Sequence, residues 1–275
     1  MGPFELMDLI GHDVNFAVTQ SVFQAYFTDP RFTPSLIQQE LVNAGFLGRK
    51  SGRGFYHYGE GSSIPAADAE APRSASTAGA QLFGNHPLVK TLSDRTGIAL
   101  EAATEDGLLA CIGSARLYLT DGRSATVRAN EDSQRDIVLV DLALDYGSAK
   151  RLAVARADQC SDNAFDAIVA LLQQAGYVVT RLDDIPGLAV MRTVAMLANE
   201  AADTVHQGVC SLADADMAMK KGVNYPCGPL AWADAIGVAN VAGVLTQLSL
   251  AYGEDRYRVS PLIQRLTASG RTFHG

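Results

Sequence analysis

Gly2-Pro3-Phe4-Glu5-Leu6-Met7-Asp8-Leu9-Ile10-Gly11 aligns without a gap on Gly228-Pro229-Leu230-Ala231-Trp232-Ala233-Asp234-Ala235-Ile236-Gly237, with Gly, Pro, Asp, Ile and Gly coincident. Further along, Asp29-Pro30-Arg31-Phe32 meets Glu254-Asp255-Arg256-Tyr257, and Ser35-Leu36-Ile37-Gln38 meets Pro261-Leu262-Ile263-Gln264. Gly45 meets Gly270 after a single-residue shift. The stretch from Met1 to Gly45 thus recurs as Cys227 to Gly270, which predicts two copies of one small helical unit.

Each copy has Pro at the first helical turn, a short helix ending at Gly11 or Gly237, and then a longer helix. Val14, Ala17, Val18, Val22 and Ala25 keep a 3.6-residue stripe in the first copy, and Val241, Val244, Leu245, Leu248 and Tyr252 in the second. A last helix is expected over Ser35–Asn43 and Ser260–Ser269, stopped by Gly45 and Gly270. Two more helices precede only the second copy: Leu188–Gln207, and one opened by the cap-like Ser211-Leu212-Ala213-Asp214. A helical unit of this size buries its faces mutually. The first copy therefore reads as cut short at Met1, with apolar surface left open, and self-association is expected.

Gly59 to Gly84 is rich in Ala, Ser, Gly and Pro and reads as a linker. From Pro87 to Ile185 strand and helix patterns alternate: Ile137–Leu144, Arg151–Ala157 and Tyr177–Leu182 are strand-like and Asn163–Ala175 is helix-like. Asp121-Gly122, between Arg116–Leu119 and Ala125–Arg128, signals a hairpin. The expected fold is mainly α with a small α/β layer. Its divisions are a first helical domain at 1–58, a linker at 59–86, an α/β segment at 87–185 and a second helical domain at 186–275.

With 48% hydrophobic and 19% charged residues the chain is composed to fold rather than to stay disordered. Its net charge of -8 and lack of a Lys/Arg stripe argue against nucleic acid as a partner. No apolar run of about 20 residues is present to span a membrane, and the N-terminus carries no signal-like core. Leu6 at the sixth position speaks against myristoylation of the Met-Gly start. Cys111, Cys160, Cys210 and Cys227 form no metal or redox spacing, so reduced thiols and a cytoplasmic location are expected.

The chemistry of the sequence is sparse. No Gly-x-Gly-x-x-Gly turn exists to bring backbone against a pyrophosphate, and Gly48-Arg49-Lys50-Ser51 has Arg where a phosphate-binding loop requires Lys. His12, His57, His86, His206 and His274 have no metal-ligand spacing. Asp183-Asp184 and Asp214/Asp216 read as charge complements of helix N-termini rather than acid–base pairs. The segment Leu47-Gly48-Arg49-Lys50-Ser51-Gly52-Arg53-Gly54-Phe55-Tyr56-His57-Tyr58 has two readings. It is either a glycine turn pinned by Phe55 and Tyr56 or a basic edge beside a polyanion.

Met-Gly-Pro-Phe-Glu-Leu followed by Asp-Leu-Ile-Gly, together with Gly-Arg-Lys-Ser-Gly-Arg-Gly-Phe-Tyr, resembles C-terminal-domain signatures of the 3-hydroxyacyl-CoA dehydrogenase family. The segment Pro186 through Asn199-Glu200-Ala201 to Asn224-Tyr225-Pro226 resembles a second such domain, as in the longer bacterial form. The resemblance implies two 6-phosphogluconate-dehydrogenase-C-terminal-like helical domains flanking a degenerate Rossmann-like segment. It also implies an upstream NAD-binding domain with a His-Glu dyad, and a catalytic Asn at the start of the first helical domain. In such enzymes His removes the hydroxyl proton and Glu supports the imidazolium while hydride passes to NAD.

In Pro186-Gly187-Leu188-Ala189-Val190-Met191-Arg192 the family's Asn position holds Met191, whose thioether offers no amide donor or acceptor. Leu152-Ala153-Val154-Ala155-Arg156 is where the family's His-Phe-Phe-Asn-Pro strand is expected. The resemblance thus implies the C-terminal part of an NAD-dependent 3-hydroxyacyl-CoA dehydrogenase, of 3-hydroxybutyryl-CoA type, in fatty-acid or aromatic-acid degradation. This part forms acyl-pocket wall and inter-domain or dimer contacts. Met1, Gly2, Pro3 and Phe4 would lie nearest the acyl group, with Asn224–Pro226 as the repeat's counterpart. No catalytic, cofactor or metal residue is expected within the chain, which alone should not turn over; NAD and the 3-hydroxyacyl-CoA substrate belong to the intact enzyme. The alternative is a non-catalytic interaction module of tandem helical domains.

Overall fold

The computed structural model describes residues 2–103 and 107–275, in two compact units that meet in sequence at Ala67/Asp68. The first contains α1 (Pro3–Ile10), α2 (His12–Ala25) and α3 (Leu36–Asn43). Pro3 opens α1 where no N–H is needed. Gly11, at φ +103°, ends α1 and starts α2, a backbone state that a Cβ would strain. Asp29 accepts from Arg31 N at the 3-10 turn Pro30–Phe32, and Ser35 caps α3.

The second unit contains a seven-stranded mixed sheet among the described residues. Its elements run β1 (Gln81–Phe83), α4 (Pro87–Thr96), β2 (Leu100–Glu101), β3 (Leu108–Ile112), β4 (Ala115–Leu119), α5 (Ala125–Glu131), β5 (Ile137–Val140), β6 (Arg151–Arg156), α6 (Asp162–Gln174) and β7 (Val178–Arg181). Sheet order is β2-β1-β3-β4-β5-β6-β7. The pairs β1/β2, β4/β5 and β6/β7 are parallel and the other neighbours antiparallel. β5 is buried throughout, which is why Ile-Val-Leu-Val reads as an unbroken apolar run rather than an alternating one. α6 lays Phe165, Ile168, Leu171 and Leu172 into the same core.

A helical layer follows: α7 (Val190–His206), α8 (Leu212–Gly222), α9 (Pro229–Ile236), α10 (Val238–Tyr252) and α11 (Pro261–Ser269). Its core is Val194, Ala198, Leu230, Val241, Val244, Leu245 and Ile263. No single helix among the described residues is long and apolar enough to cross a membrane.

Three expectations change. Ala125–Arg128 is not the second arm of a hairpin: Ser124 accepts from Val127 N and starts α5, so β4 pairs in parallel with β5 across that helix. Parallel pairing needs such a crossover, and Asp121-Gly122 is its first turn. The sheet is larger than a small layer. Its strand β1 and the helix α4 come from the end of the linker and the start of the α/β segment, where a short strand and a Pro-led helix left little periodicity. The stretch from Asp68 also binds the sheet edge, Glu70 N donating to Val179 O at 2.8 Å and Thr180 Oγ1 to Asp68 O at 2.6 Å. None of the four cysteines is in a disulfide; Cys111 and Cys160 are buried and the other two half-buried. Burial pushes the Cys160 thiol up to about 11.

The helical stretches of the two units follow one plan. α1 and α9 both open on Pro and end at a glycine of φ near +100°, Gly11 and Gly237. Phe27 and Thr28, at φ +54° and +64°, stand where the other stretch has Gly253 alone, which is the site of the one-residue shift. Beyond it Ser35 matches Ser260 as the residue before the last helix, one position earlier than the sequence alignment placed the pair.

Candidate functional site

In the first unit the buried Asp8 carboxylate organises everything around it. It accepts from Phe55 N, Tyr56 N and Tyr58 Oη, each at 2.9 Å, and lies 2.7 Å from His12 Nε2. Burial alone would raise its pKa; the Tyr56 and Phe55 N–H groups, with His12 and Tyr58, outweigh that and hold it below the ordinary carboxylate value. Burial, and then the Asp8 hydrogen bond, raise the Tyr58 phenol. His12 is fully buried, and its Nδ1 has no partner among the described residues.

The glycine-rich segment resolves toward its turn reading. A Cβ on Gly48 would run into the Asp8 backbone and one on Gly54 into the Asp8 carboxylate, so the loop closes on Asp8 only as glycine. Its cations are spoken for within the unit. Arg49 Nη2 donates to Glu5 at 2.8 Å, Lys50 pairs with Asp13, and the Arg53 guanidinium lies 3.8 Å from the Phe46 ring centre. The Lys50 hydrogen bond holds the exposed Asp13 carboxyl below its usual range.

Of the proposed acyl-contact residues, Met1 lies outside the described residues. Gly2 is exposed, Pro3 is the first residue of α1, and Phe4 is half-exposed against Phe55, ring centres 4.6 Å apart. Phe4 borders an open apolar cavity of about 530 Å³, lined also by Met7, Val18, Val22, Phe32 and Ile37.

The second unit has a cavity of about 950 Å³ between the sheet and α9/α10, lined among others by His86, Thr120, Arg128, Met191 and Val244. Met191 is buried, as a packing residue would be. The carboxylate that reaches it comes from Asp141, after β5, rather than from β6, the strand of the 152–156 segment. Asp141 accepts from Ala189, Val190 and Met191 N at 2.8–3.0 Å and closes the start of α7. Burial pushes its carboxyl above the ordinary value against those donors. Sequence reading missed this residue, because a single Asp ending an apolar run carries no signal of a partner 48 positions on. Burial holds His86 below the usual histidine range, and its Nδ1 accepts from Leu88 N. Arg123 and Arg128 are paired with Asp121 and Asp132.

A dinucleotide needs free N–H groups at a strand-to-helix turn, and these turns do not fit one. Asp184 takes Ala125 N and Thr126 N of α5 at 2.6 and 2.8 Å; His86 closes α4, which begins with Pro87; Ser161 closes α6. The carboxylates Asp184 and Asp216 thus serve helix N-termini, Asp216 accepting from Leu230 and Ala231 N. Asn224 sits at φ +59° just past α8, and Tyr225 N donates to Met219 O in the same turn.

Two similarly built helical stretches, a mixed sheet leading through Pro-Gly into a long helix, and glycines packed on a buried Asp characterise the chain. The family model for the 3-hydroxyacyl-CoA dehydrogenase C-terminal domain matches residues 1–58 and 187–273. That for the 3-hydroxybutyryl-CoA dehydrogenase reduced Rossmann-fold domain matches 117–186. The chain belongs to the 3-hydroxyacyl-CoA dehydrogenase family, a family of NAD-dependent oxidoreductases. It is 40% identical over 265 residues to an Escherichia coli 3-hydroxyadipyl-CoA dehydrogenase, covering 96% of this chain and 50% of that protein. It is 28% identical over 171 residues to a Clostridioides difficile 3-hydroxybutyryl-CoA dehydrogenase, covering 62% and 59%. The crystal structure of an E. coli 3-hydroxybutyryl-CoA dehydrogenase superposes with a TM-score of 0.82 at 37% identity, over 98% of this chain and 52% of that one. The chain spans about half the length of the E. coli relatives.

Proposed function

We propose that these 275 residues act as the C-terminal portion of a bacterial NAD-dependent 3-hydroxyacyl-CoA dehydrogenase of 3-hydroxybutyryl-CoA type, in fatty-acid or aromatic-acid degradation. The two helical stretches are copies of one domain, and they flank a degenerate Rossmann-like segment. Met1 to Phe4 form part of the acyl-pocket wall. The hydroxyl proton, the hydride and the nucleotide are handled by residues outside this chain, which does not turn over by itself.

The observation that supports this reading is the burial of Met191, the residue the resemblance aligns with the family's amide, with the neighbouring Asp141 committed to the N–H groups of Ala189, Val190 and Met191. With its oxygens so engaged, the Asp141 carboxylate serves the start of α7 rather than proton transfer. Family membership favours this over an interaction module unconnected with oxidoreductase chemistry. The purified chain with NAD and 3-hydroxybutyryl-CoA is expected to form no NADH. Adding a separately expressed upstream half of the 3-hydroxyadipyl-CoA dehydrogenase relative is expected to restore more turnover than that half gives alone. NADH formation by the chain by itself would overturn the proposal.

A further inference from the structure

The cavity of about 950 Å³ in the second unit is of ligand size, and one of its walls holds a glycine that packing does not require. Ala239, Asn240, Gly243 and Val244 line it from one face of α10. A Cβ on Gly243 would meet nothing within 4 Å, whereas one on Gly122 would run into the Val244 backbone. Glycine inside a helix destabilises it relative to alanine, and at Gly243 no close approach of another backbone demands it. What it leaves is open volume beside Leu119 and Ile236.

Two polar groups of the wall are without protein partners. His86 Nδ1 accepts from Leu88 N at 3.3 Å, so the ring proton sits on Nε2, and Nε2 makes no hydrogen bond to another described residue. The ring is held edge-on to Tyr146, centres 5.3 Å apart, and burial favours its neutral form. Thr120 is 2% exposed, and its hydroxyl has no partner among the described residues; a buried orphan of this kind is ordinarily met by a water or a ligand. The charges of the wall, by contrast, are already matched. Arg123 pairs with Asp121, Glu131 and Asp132 at 2.6, 2.8 and 3.4 Å, and Arg128 with Asp121 and Asp132 at 3.0 and 3.1 Å. With three carboxylates on two guanidiniums, an incoming anion would have to break an existing ion pair. The phosphates of a CoA ester or a dinucleotide therefore do not suit this wall.

We propose that this cavity binds an uncharged small molecule with an apolar body and a carbonyl oxygen, the oxygen accepting from His86 Nε2–H and the body lying on Leu119, Ile236 and the Ala239/Gly243 face of α10. The carbonyl supplies the acceptor that a neutral imidazole lacks here, without bringing a charge that the Arg–Asp pairs would have to accommodate. The Thr120 hydroxyl, able to donate or accept, serves a second polar atom of the ligand or an intervening water. The site is a binding site, and it holds whether or not the chain contributes to 3-hydroxyacyl-CoA turnover.

The probe is benzophenone, a neutral diaryl ketone that inserts into nearby C–H bonds under ultraviolet light, added to the full 275-residue protein. Saturable binding is expected, with cross-links in residues 108–123 and 236–244. Diphenylmethane, which has the same two rings without the carbonyl, is expected to compete about tenfold more weakly, and so is 4-benzoylbenzoate, the ketone with an added carboxylate. Gly243→Leu puts a side chain into the open volume from a helical position with room for it, and should remove the cross-links while the melting temperature is kept. His86→Asn can still cap α4 and should weaken binding about tenfold. Absence of saturable binding, equal competition by diphenylmethane or 4-benzoylbenzoate, indifference to His86→Asn, cross-links that survive Gly243→Leu, or cross-links confined to residues 4–37 would each overturn the proposal.

Discussion

Asp8 and Asp234 occupy the same position in the two helical stretches and each clamps two successive backbone N–H groups at the far end of its own stretch. Asp8 takes Phe55 and Tyr56; Asp234 takes Phe273 at 2.8 Å and His274 at 3.1 Å. The correspondence matches Phe55-Tyr56 with Phe273-His274, although Gly45 and Gly270 sit in the matching turn just before. Phe46 therefore matches Arg271 and Gly54 matches Thr272, so Leu47–Arg53 is an insertion confined to the first stretch. The glycine-rich basic signature is that insertion folded back onto Asp8.

Asp8→Asn should cost the first unit about 2 kcal/mol, since an amide cannot accept from all four donors and leaves buried groups unpaired. Asp234→Asn, at a more exposed carboxylate, should cost about 1 kcal/mol. Urea unfolding with amide exchange on residues 47–58 separates the two; equal losses would contradict the argument.

The same carboxylate makes the first unit acid-sensitive. Its folded pKa lies below the ordinary 3.8, so its stabilisation is complete above that value and is lost as pH falls through the lower, folded value. The stability profile of the first unit should drop below pH 3.8, and in Asp8→Asn that portion of the slope should vanish.

Gly48→Ala should destabilise by about 3 kcal/mol, combining a positive φ with a Cβ that meets the Asp8 backbone. Gly52→Ala, at φ +74° with nothing nearby, should cost about 1 kcal/mol. Paired thermal melts read the difference, and similar melting points for the two variants would count against the close approach.

Met191→Asn should not create activity. The amide would be buried beside an Asp141 already engaged, at a cost of about 1–3 kcal/mol. The expected result is a lower melting temperature with no NADH formation from 3-hydroxybutyryl-CoA; NADH formation would reopen the second copy as a site.

Local chemistry was enough to place much of this protein. Pro before a short apolar run and glycine after it defined α1 and α9, and the 3.6-residue stripes defined α2 and α10, because both signals act within a few residues. The segments Arg151–Ala157, Asn163–Ala175 and Tyr177–Leu182 were legible as β6, α6 and β7 for the same reason. The resemblance put Met191 at the family's amide position from the local Pro186–Arg192 sequence alone.

Sheet order, the parallel partner of β4, the capture of β1 by the sheet and the tasks of Asp141, Asp184 and Asp216 were decided only in three dimensions. Each depends on groups 14 to 59 residues apart, and an isolated carboxylate or three-residue strand has no period to reveal its partner. The sequence by itself carried the pattern Gly-Pro, a short apolar run, Asp-x-Ile-Gly twice, and with it the boundaries of α1 and α9. Only the tertiary structure decided which residues do the covering in the second stretch, Ala195, Ala198 and Ala202 of α7 against α9, α10 and α11, because burial is a property of neighbours and not of the residues buried.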